Sequence, residues 1–294
     1  MDRIEAMRTL VSVVHEGSFT RAAERLAMSP QLVSKYVAQL EEHLGVRLLN
    51  RTTRRIHLTE AGERYVQQAQ QILSDIDDME SQAGDLQAQA RGLLRIAAPV
   101  SFASLHLAEP LVLFQRENPE VGIDLQLNDR KVDIIDEGFD VALRIGQLKD
   151  SSLVARKLTE IRLAYCASPE YLKKYGEPTS VAELPQHRFL HYSYMEDEQL
   201  RQAGIQRGNQ FSCNNGEVLN NAAIAGAGIV MQPTFISGAA LADGRLVEIL
   251  KQEAPEPIAL YAVYAHRTLL SSKVRAFIDS LSDYFSGVPP WDKS

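Results

Sequence analysis

The sequence has no apolar run approaching the roughly 20 residues that a membrane-spanning helix needs. Its first residues, MDRIEAMRTL, include acids and no separate apolar core, so they do not read as a signal peptide, and a cytoplasmic protein is expected. Two cysteines, Cys166 and Cys213, are too few and too far apart for a disulfide framework. Neither a phosphate-binding P-loop nor a GxSxG nucleophile elbow occurs. The seven histidines show no paired spacing with cysteine. His187 and His191 stand four apart, but the strand-like residues between them do not suit a shared helical face, and both read as surface or capping side chains. No cofactor and no enzymatic chemistry are therefore expected. Cys166 lies in an apolar strand and reads as packing. Cys213 precedes a helix start that would lower its pKa, which leaves a redox role open beside plain packing.

Positive charge is also in short supply. The chain carries 31 Lys and Arg against 38 Asp and Glu, a net charge of −7, which at first argues against a nucleic-acid partner. Its distribution reverses that argument. Residues 1–60 hold nine basic against seven acidic residues, residues 61–90 one against six, and residues 91–294 hold 21 against 25. Only the first segment leans basic, with Arg47, Arg51, Arg54 and Arg55 clustered. A small DNA-reading head on an acidic body fits this asymmetry. With 294 residues, 45% hydrophobic and 23% charged, the chain is long enough for two or three globular domains.

The best-marked stretch is SPQLVSKYVAQLEEH, residues 29–43. Ser29 is an N-cap, and Pro30 takes the first helical position, where a missing N–H costs nothing. Gly45 supplies a left-handed stop. Leu32, Val33, Tyr36, Val37, Leu40 and Leu44 form an apolar stripe and leave Gln31, Ser34, Lys35, Ala38 and Gln39 outward. Amide, hydroxyl and amine donors at a helix start suit base edges and phosphates in a major groove. Alone, the segment also reads as an ordinary amphipathic helix, so the flanking residues decide. Asp2 with Glu5 forms a capping box for a first helix with an apolar face of Ile4, Met7, Val11 and Val14, ended by Gly17. Ser18 caps a second helix, in which Ala22, Ala23 and Leu26 are apolar. The short turn at Ala27-Met28 then makes a helix-turn-helix with the Ser29 helix. Downstream, Leu48, Leu49, Ile56 and Leu58 anchor two strand-like arms. Asn50, Arg51, Thr52, Thr53, Arg54 and Arg55 sit at their tip as a wing suited to phosphates or the minor groove, or else as a solvated hairpin. Residues 1–58 are thus the head. Its DNA-facing candidates are Ser18, Ser29, Pro30, Gln31, Ser34, Lys35 and the wing residues Arg51, Thr52, Thr53, Arg54 and Arg55.

Thr59 caps a long helix over residues 59–90. Tyr65, Ala69, Ile72, Ile76, Met79, Ala83 and Leu86 alternate at spacings of four and three, a heptad seam. About 30 residues give a rod of about 45 Å. A polar helix with one narrow stripe calls for a partner, either its own body or, the stronger reading, a second copy of the chain.

Residues 91–294 alternate strands and helices. Strands are expected at Leu93–Ala97, Gly122–Gln126 and Val141–Ile145, with one helix from Pro99 to about Arg116 and a short one at Arg130–Glu137. Apolar strands at Val154–Leu158 and Arg162–Ala167 lead into a second lobe. That lobe contains Pro169–Tyr175, strands near Phe189–His191, Phe211–Cys213 and Ile229–Met231, and a helix from Asn215 to Ala225. Ile258–Tyr264 is a late strand able to return to the first lobe, and Ser272–Phe285 is a final helix burying Val274, Phe277, Ile278 and Leu281. Lobe one is set at about 91–161 plus 266–294, and lobe two at about 162–265. Ligands in such sheets bind at carboxyl ends of strands, near helix starts. That rule selects Val100, Ser101 and Phe102; Asn128 and Asp129; Arg144, Ile145 and Gly146; and Cys213, Asn214 and Asn215. Helix capping is an equal reading for Asn128 and Asn215, and a structural ion pair for Arg144.

The stretch GSFTRAAERLAMSPQLVSKYVAQLEEHLGVRLLNRTTRRIHLTEAGERY resembles the head of the LysR-type transcriptional regulators, through both helices, the turn, the wing and the start of the linker. The remainder fits the family plan more loosely, and the RTTRR wing and IAAPVSF strand end look most like a large subgroup often encoded beside the genes it controls. The resemblance implies an α/β chain: an all-α winged helix-turn-helix head, a linker-helix dimer, and a two-lobed α/β effector domain resembling type 2 periplasmic binding proteins. It further implies dimers or tetramers on bent promoter DNA and a small-molecule co-inducer in the cleft. Carried onto this chain, Ser34 and Lys35 stand where the family contacts DNA, with Pro30 and Gln31 at the helix start. Lys35 stands where many members have arginine, which favours a phosphate contact over bidentate pairing with guanine.

The expected partners are therefore double-stranded promoter DNA, a second copy of the chain, and a small effector, a carboxylate or an aromatic, with no membrane. Two helix starts facing one cleft favour a small anion. The alternatives are a solute-binding protein or enzyme with an incidental helical N-terminal domain, and an architectural DNA-binding protein that takes no ligand.

Overall fold

Three short helices open the chain because each has its own cap. In the computed structural model, which describes residues 1–51, 56–84, 90–130, 132–146, 153–194, 211–265 and 270–292, α1 (Arg3–Glu16) starts at Asp2. The Asp2 carboxylate accepts the N–H groups of Ile4 at 2.9 Å and Glu5 at 3.3 Å, and Gly17 ends the helix in the left-handed conformation. α2 (Phe19–Arg25) starts at Ser18, whose Oγ accepts the Arg21 N–H. α3 (Pro30–Leu44) starts at Ser29, whose Oγ accepts the Leu32 N–H at 3.2 Å, and ends at Gly45 with φ 67°. Between α2 and α3, Ala27 takes φ 52°, an uncommon conformation for a residue with a Cβ.

The helices bury a different face from the one the spacing suggested. Ala6, Leu10 and Val13 of α1 enter the core with Ala22, Ala23, Val33, Val37 and Leu40, whereas Ile4 is exposed and Met7, Val11 and Val14 lie at the margin. Small side chains let α1 approach α2, α3 and the linker together. Thr9 tolerates full burial because its hydroxyl donates to the Glu5 carbonyl at 2.7 Å. In α3, Leu32 and Leu44 are likewise exposed and Tyr36 is half-buried.

The wing arms are β1 (Leu49–Arg51) and β2 (Ile56–Leu58), antiparallel with Leu49 opposite Leu58. α4 (Glu60–Gly84) follows, about 37 Å long for its 25 residues. Thr59 caps it by accepting the Gly62 N–H at 2.9 Å while donating to the Arg47 carbonyl at 2.7 Å. A methyl group at Gly62 would lie 2.1 Å from the Leu48 carbonyl oxygen, so only glycine lets α4 lie against the wing. Val66 belongs to the head core, with Tyr65 packed on it. Part of the expected heptad seam therefore serves the head itself. Ile72 is exposed and Ile76 half-exposed; the side chains of Met79 and Ala83, and all of Leu86, lie outside the described residues.

The chain divides into two units, Met1–Gly92 and Leu93–Ser294. In the second, β3 (Gly92–Ala98) leads to α5 (Val100–His106), α6 (Ala108–Glu117) and β4 (Val121–Leu127). The single expected helix is broken at Leu107 because Pro110 cannot follow the carbonyl of His106 in one continuous helix. Residues 132–139 form turns instead of the expected helix: Asp133 Oδ1 accepts the N–H of Ile135 and Asp136, and Gly138 at φ 68° ends the turn. β5 (Val141–Gly146) and β6 (Leu153–Ile161) complete the outbound part of lobe one. Lobe two comprises β7 (Leu163–Ala167), α7 (Pro169–Tyr175), β8 (Phe189–Tyr192), β9 (Ser212–Cys213), α8 (Gly216–Ile224), β10 (Ile229–Pro233), α9 (Thr234–Ala242) and β11 (Val247–Ile249). β12 (Ile258–Ala265) and α10 (Ser272–Tyr284) follow. α9 and β11 are additions to the expected elements.

Lobe one has strand order β4-β3-β5-β12-β6, and lobe two β11-β7-β10-β8-β9. β12 pairs antiparallel with both β5 and β6, so the chain re-enters lobe one near residue 258, not near 266. The lobe-two sheet is covered on both faces: Tyr165, Phe189 and Ile229 point to one core, Ala164, Cys166, Leu190 and Val230 to the other. α10 buries Val274, Phe277, Ile278 and Leu281 as expected. It also buries Lys273, whose ammonium donates to the Leu93 carbonyl at 2.8 Å and lies 3.6 Å from Asp140.

Two substitutions test this packing by chemical denaturation. Gly62→Ala should destabilise the head by about 1–3 kcal/mol, because a Cβ must displace wing backbone. Lys273→Met should destabilise the second unit by about 3–5 kcal/mol, because it leaves a buried carboxylate and carbonyl behind.

Candidate nucleic-acid interface and interlobe site

The exposed side of α3 carries Pro30, Gln31, Leu32, Lys35 and Ala38, with Ser34 half-buried; Val33, Val37 and Leu40 on the other side are fully buried. The donors at the helix start are therefore outside the head core. Ser18 and Ser29 act as caps, with Ser29 exposed. Arg51 lies in β1. Thr52, Thr53, Arg54 and Arg55 lie outside the described residues. The wing is fixed to α3 by Glu41, whose Oε1 accepts the N–H of Leu48 at 2.8 Å and Leu49 at 3.0 Å. On α2, Arg25 pairs with Glu16 at 2.7 Å and Arg21 donates to the Glu16 carbonyl. The Arg25 guanidinium, then the neighbouring His15, holds the Glu16 carboxyl below its usual range.

In the second unit, strand direction sets the geometry. β3 and β5 are parallel, so Ala98 and Gly146 end at one edge of lobe one. β8, β9 and β10 are mutually parallel, so Tyr192, Cys213 and Pro233 end at one edge of lobe two, where α8 and α9 begin. Asp129 Oδ1 accepts the Val100 N–H at 2.9 Å and caps α5 from a distance, since Pro99 provides no side-chain cap. Burial raises the Asp129 carboxyl above its usual range, the Glu217 charge adds to this, and the Val100 N–H offsets part of it. The Tyr192 hydroxyl is pushed up strongly by burial, then by the charge of Asp129. Asp129 of lobe one thus shares an electrostatic neighbourhood with Tyr192 and Glu217 of lobe two. Among the described residues, two buried hydroxyls at helix starts, Ser101 Oγ and Thr234 Oγ1, find no protein partner.

The other expected residues divide by their bonds. Asn215 caps α8 by accepting the Val218 N–H at 3.0 Å, and its own N–H donates to Cys213 Sγ at 3.4 Å. Asn128 accepts the Arg130 N–H at 2.9 Å in a local turn. Arg144 donates to the Val132 carbonyl at 2.7 Å. Ile145 and Gly146 pair with Leu260 and Ala259 of β12, and Asn214 is exposed. Phe102 is fully buried in a ring cluster with Phe235 (5.4 Å between centroids), Phe285 (5.7 Å) and Trp291 (5.9 Å), which joins α5 of lobe one to α9 of lobe two. Tyr192, Glu217 and Thr234, which the structure brings to this edge, are not singled out by the sequence. Tyr192 and Thr234 each stand within three residues of the end of an expected strand, which is the signal that would have found them.

Cys166 is fully buried, and burial pushes its thiol up to about 12, so it holds its proton at neutral pH. His187 lies 3.3 Å from the Tyr171 hydroxyl, and His191 lies 3.3 Å from Ser212 Oγ.

A capped helix-turn-helix with a wing, a long helix, and two α/β lobes with facing strand ends define a ligand-responsive DNA-binding regulator. The known families agree. Residues 4–63 match the bacterial regulatory helix-turn-helix proteins of the lysR family, and residues 87–286 match the LysR substrate binding domain. A Haemophilus influenzae protein described as an uncharacterized HTH-type transcriptional regulator is 39% identical over 93% of this chain and 98% of its own. The Neisseria meningitidis regulator CrgA is 36% identical over 94% of this chain and 95% of its own. Its solved structure, a LysR-type transcriptional regulator, aligns with TM-score 0.59 at 33% identity, covering 96% of this chain and 99% of that one. The structure of the Vibrio cholerae virulence activator AphB aligns with TM-score 0.56 at 29% identity over 96% and 99%. The chain belongs to the LysR family of transcriptional regulators; it is not an enzyme.

Asp129→Ala should destabilise the second unit by about 0.5–2 kcal/mol, the cost of an N-terminal helix cap, while Asp129→Asn keeps an acceptor and loses less. A carboxyl raised on folding contributes most below the ordinary carboxylate range, and its contribution falls as pH rises through the raised value. Unfolding curves from pH 4 to 7 should therefore be flatter for Asp129→Asn than for the unaltered chain.

Proposed function

We propose that the chain regulates transcription as a homo-oligomer that reads promoter DNA through the start of α3 and the wing, under control of a small molecule held between the two lobes. The carrying observation is the division of α3: Val33, Val37 and Leu40 are fully buried, while Gln31 and Lys35 are exposed at a capped helix start. Gln31 offers an amide to base edges, and Ser34 and Lys35 offer donors to phosphates. Pro30, the Ser18 and Ser29 helix starts and the wing from Arg51 to Arg55 complete the contact face. The exposed Ile72, with Ile76, Met79, Ala83 and Leu86 further along the same seam, supports pairing of linker helices, whereas Tyr65 and Ala69 set its head end.

Between the lobes, the effector meets Val100, Ser101, Asp129 and Arg144–Gly146 on one side and Tyr192, Cys213–Asn215 and Thr234 on the other. The free hydroxyls of Ser101 and Thr234 and the ring pair Tyr192–Tyr194, 5.9 Å apart, suit a polar aromatic molecule. The acidic neighbours Asp129 and Glu217 disfavour a small carboxylate, the other expected class.

Promoter binding by the full chain should weaken steeply with salt. Lys35→Ala should lower affinity for all sequences alike and reduce the salt slope by about two, one for each head of a dimer. Specific binding unchanged by Lys35→Ala together with Ser34→Ala would overturn this placement of the reading helix.

A further inference from the structure

We infer that Leu32 is a base-reading side chain, packing against the 5-methyl group of a thymine in the half-site, beside a Gln31 that pairs with adenine. The inference rests on α3 being the reading helix and adds the base preference of its first turn.

Helical spacing expects Leu32 in the core stripe. The structure places it outside: Leu32 is 38% exposed, while its neighbour Val33 is fully buried. A single exposed leucine carries no meaning by itself; its position does. At three and seven residues on, Lys35 is exposed and Gln39 half-exposed, so Leu32 heads a strip that runs down the solvent side. Gln31, one residue before, heads the adjoining strip with Lys35 and Ala38, both exposed. The backbone here is fixed, because the Leu32 N–H donates to Ser29 Oγ at 3.2 Å and Pro30 sets the first φ angle. Leu32 is therefore an apolar group held in the first turn of a helix whose other exposed side chains there are polar or proline.

The major groove offers one apolar target, the thymine methyl, and glutamine can pair with both N6 and N7 of adenine. An amide and a leucine side by side in one turn thus select A·T-containing sequence. Loss of one methyl contact should weaken binding about three- to tenfold.

The test uses the full chain and a duplex that it enriches from a random pool. Each thymine is replaced in turn by deoxyuridine, which removes the methyl group and keeps base pairing. One thymine per half-site should show the three- to tenfold loss, and Leu32→Ala, which removes the contact from both heads of a dimer, should bind the intact duplex as weakly as the unaltered chain binds a duplex with both thymines replaced, and be indifferent to those replacements. Sensitivity to no thymine, or the same sensitivity in Leu32→Ala, would overturn the inference and leave the reading helix standing. Thermal melting and low-salt binding to unrelated DNA, both unaltered in Leu32→Ala, separate readout from folding. Enrichment of no sequence at all would instead overturn the reading role of α3, and this inference with it.

Discussion

The head is held together at the backbone of Leu48 and Leu49. Glu41 of α3 accepts both N–H groups, the Leu48 carbonyl accepts the Thr59 N–H at 2.9 Å, and Gly62 of α4 lies against that same carbonyl. α3, the wing and α4 therefore meet at one peptide segment through a carboxylate, a backbone bond and a missing Cβ. None of these joints has the give of a methyl-on-methyl contact. A charge-assisted bond to backbone N–H is short and directional, and a glycine contact cannot tilt without opening a void. A displacement of the linker consequently moves α3 and the wing together as one piece, which is what a regulator needs if spacing between two heads is to control grip on DNA.

The second unit is joined in a comparable way. Its lobes are crossed by the chain at Arg162 and again between β11 and β12, and α5 of lobe one also packs on α9 of lobe two through Phe102, His106 and Phe235. The Phe235 carbonyl can only accept, so the His106 nitrogen 2.9 Å away, Nε2, carries the proton. Burial holds the ring below its usual pKa, and it remains neutral near pH 7. The helices joined by this contact also begin at the cleft, with Ser101 in the first turn of α5 and Thr234 at the start of α9.

The parts legible in the sequence were those with local causes. Asp2, Ser18, Ser29 and Asn215 cap the helices they mark, and Gly17 and Gly45 stop them, because caps and stops are bonds within a few residues. Apolar spacing gave the lobe strands for the same reason. Errors arose where a distant partner decides. The buried face of α1 depends on which neighbours come closest, so small Ala6 and Thr9 displaced larger Ile4 and Met7. Periodicity alone defines the seam of α4, although its first turns belong to the head. In the cleft, Asp129 caps a helix 29 residues away, and the nearness of Glu217 follows only from the closure of two lobes. Pro110 was a local signal, and its weight against a continuous helix is clear from the break at Leu107.

A ligand changes DNA binding only by as much as it distinguishes two arrangements of the protein. Moving a population from 1:99 to 99:1 takes about 5.5 kcal/mol of difference, more than one small polar ligand gains from a hydroxyl or two. Two features lower that demand. Buried hydroxyls that find no protein partner among the described residues favour whichever arrangement satisfies them, and a second chain on the same DNA would add its own share. On the proposed function, control would reside in the sum of such weak, geometry-dependent terms.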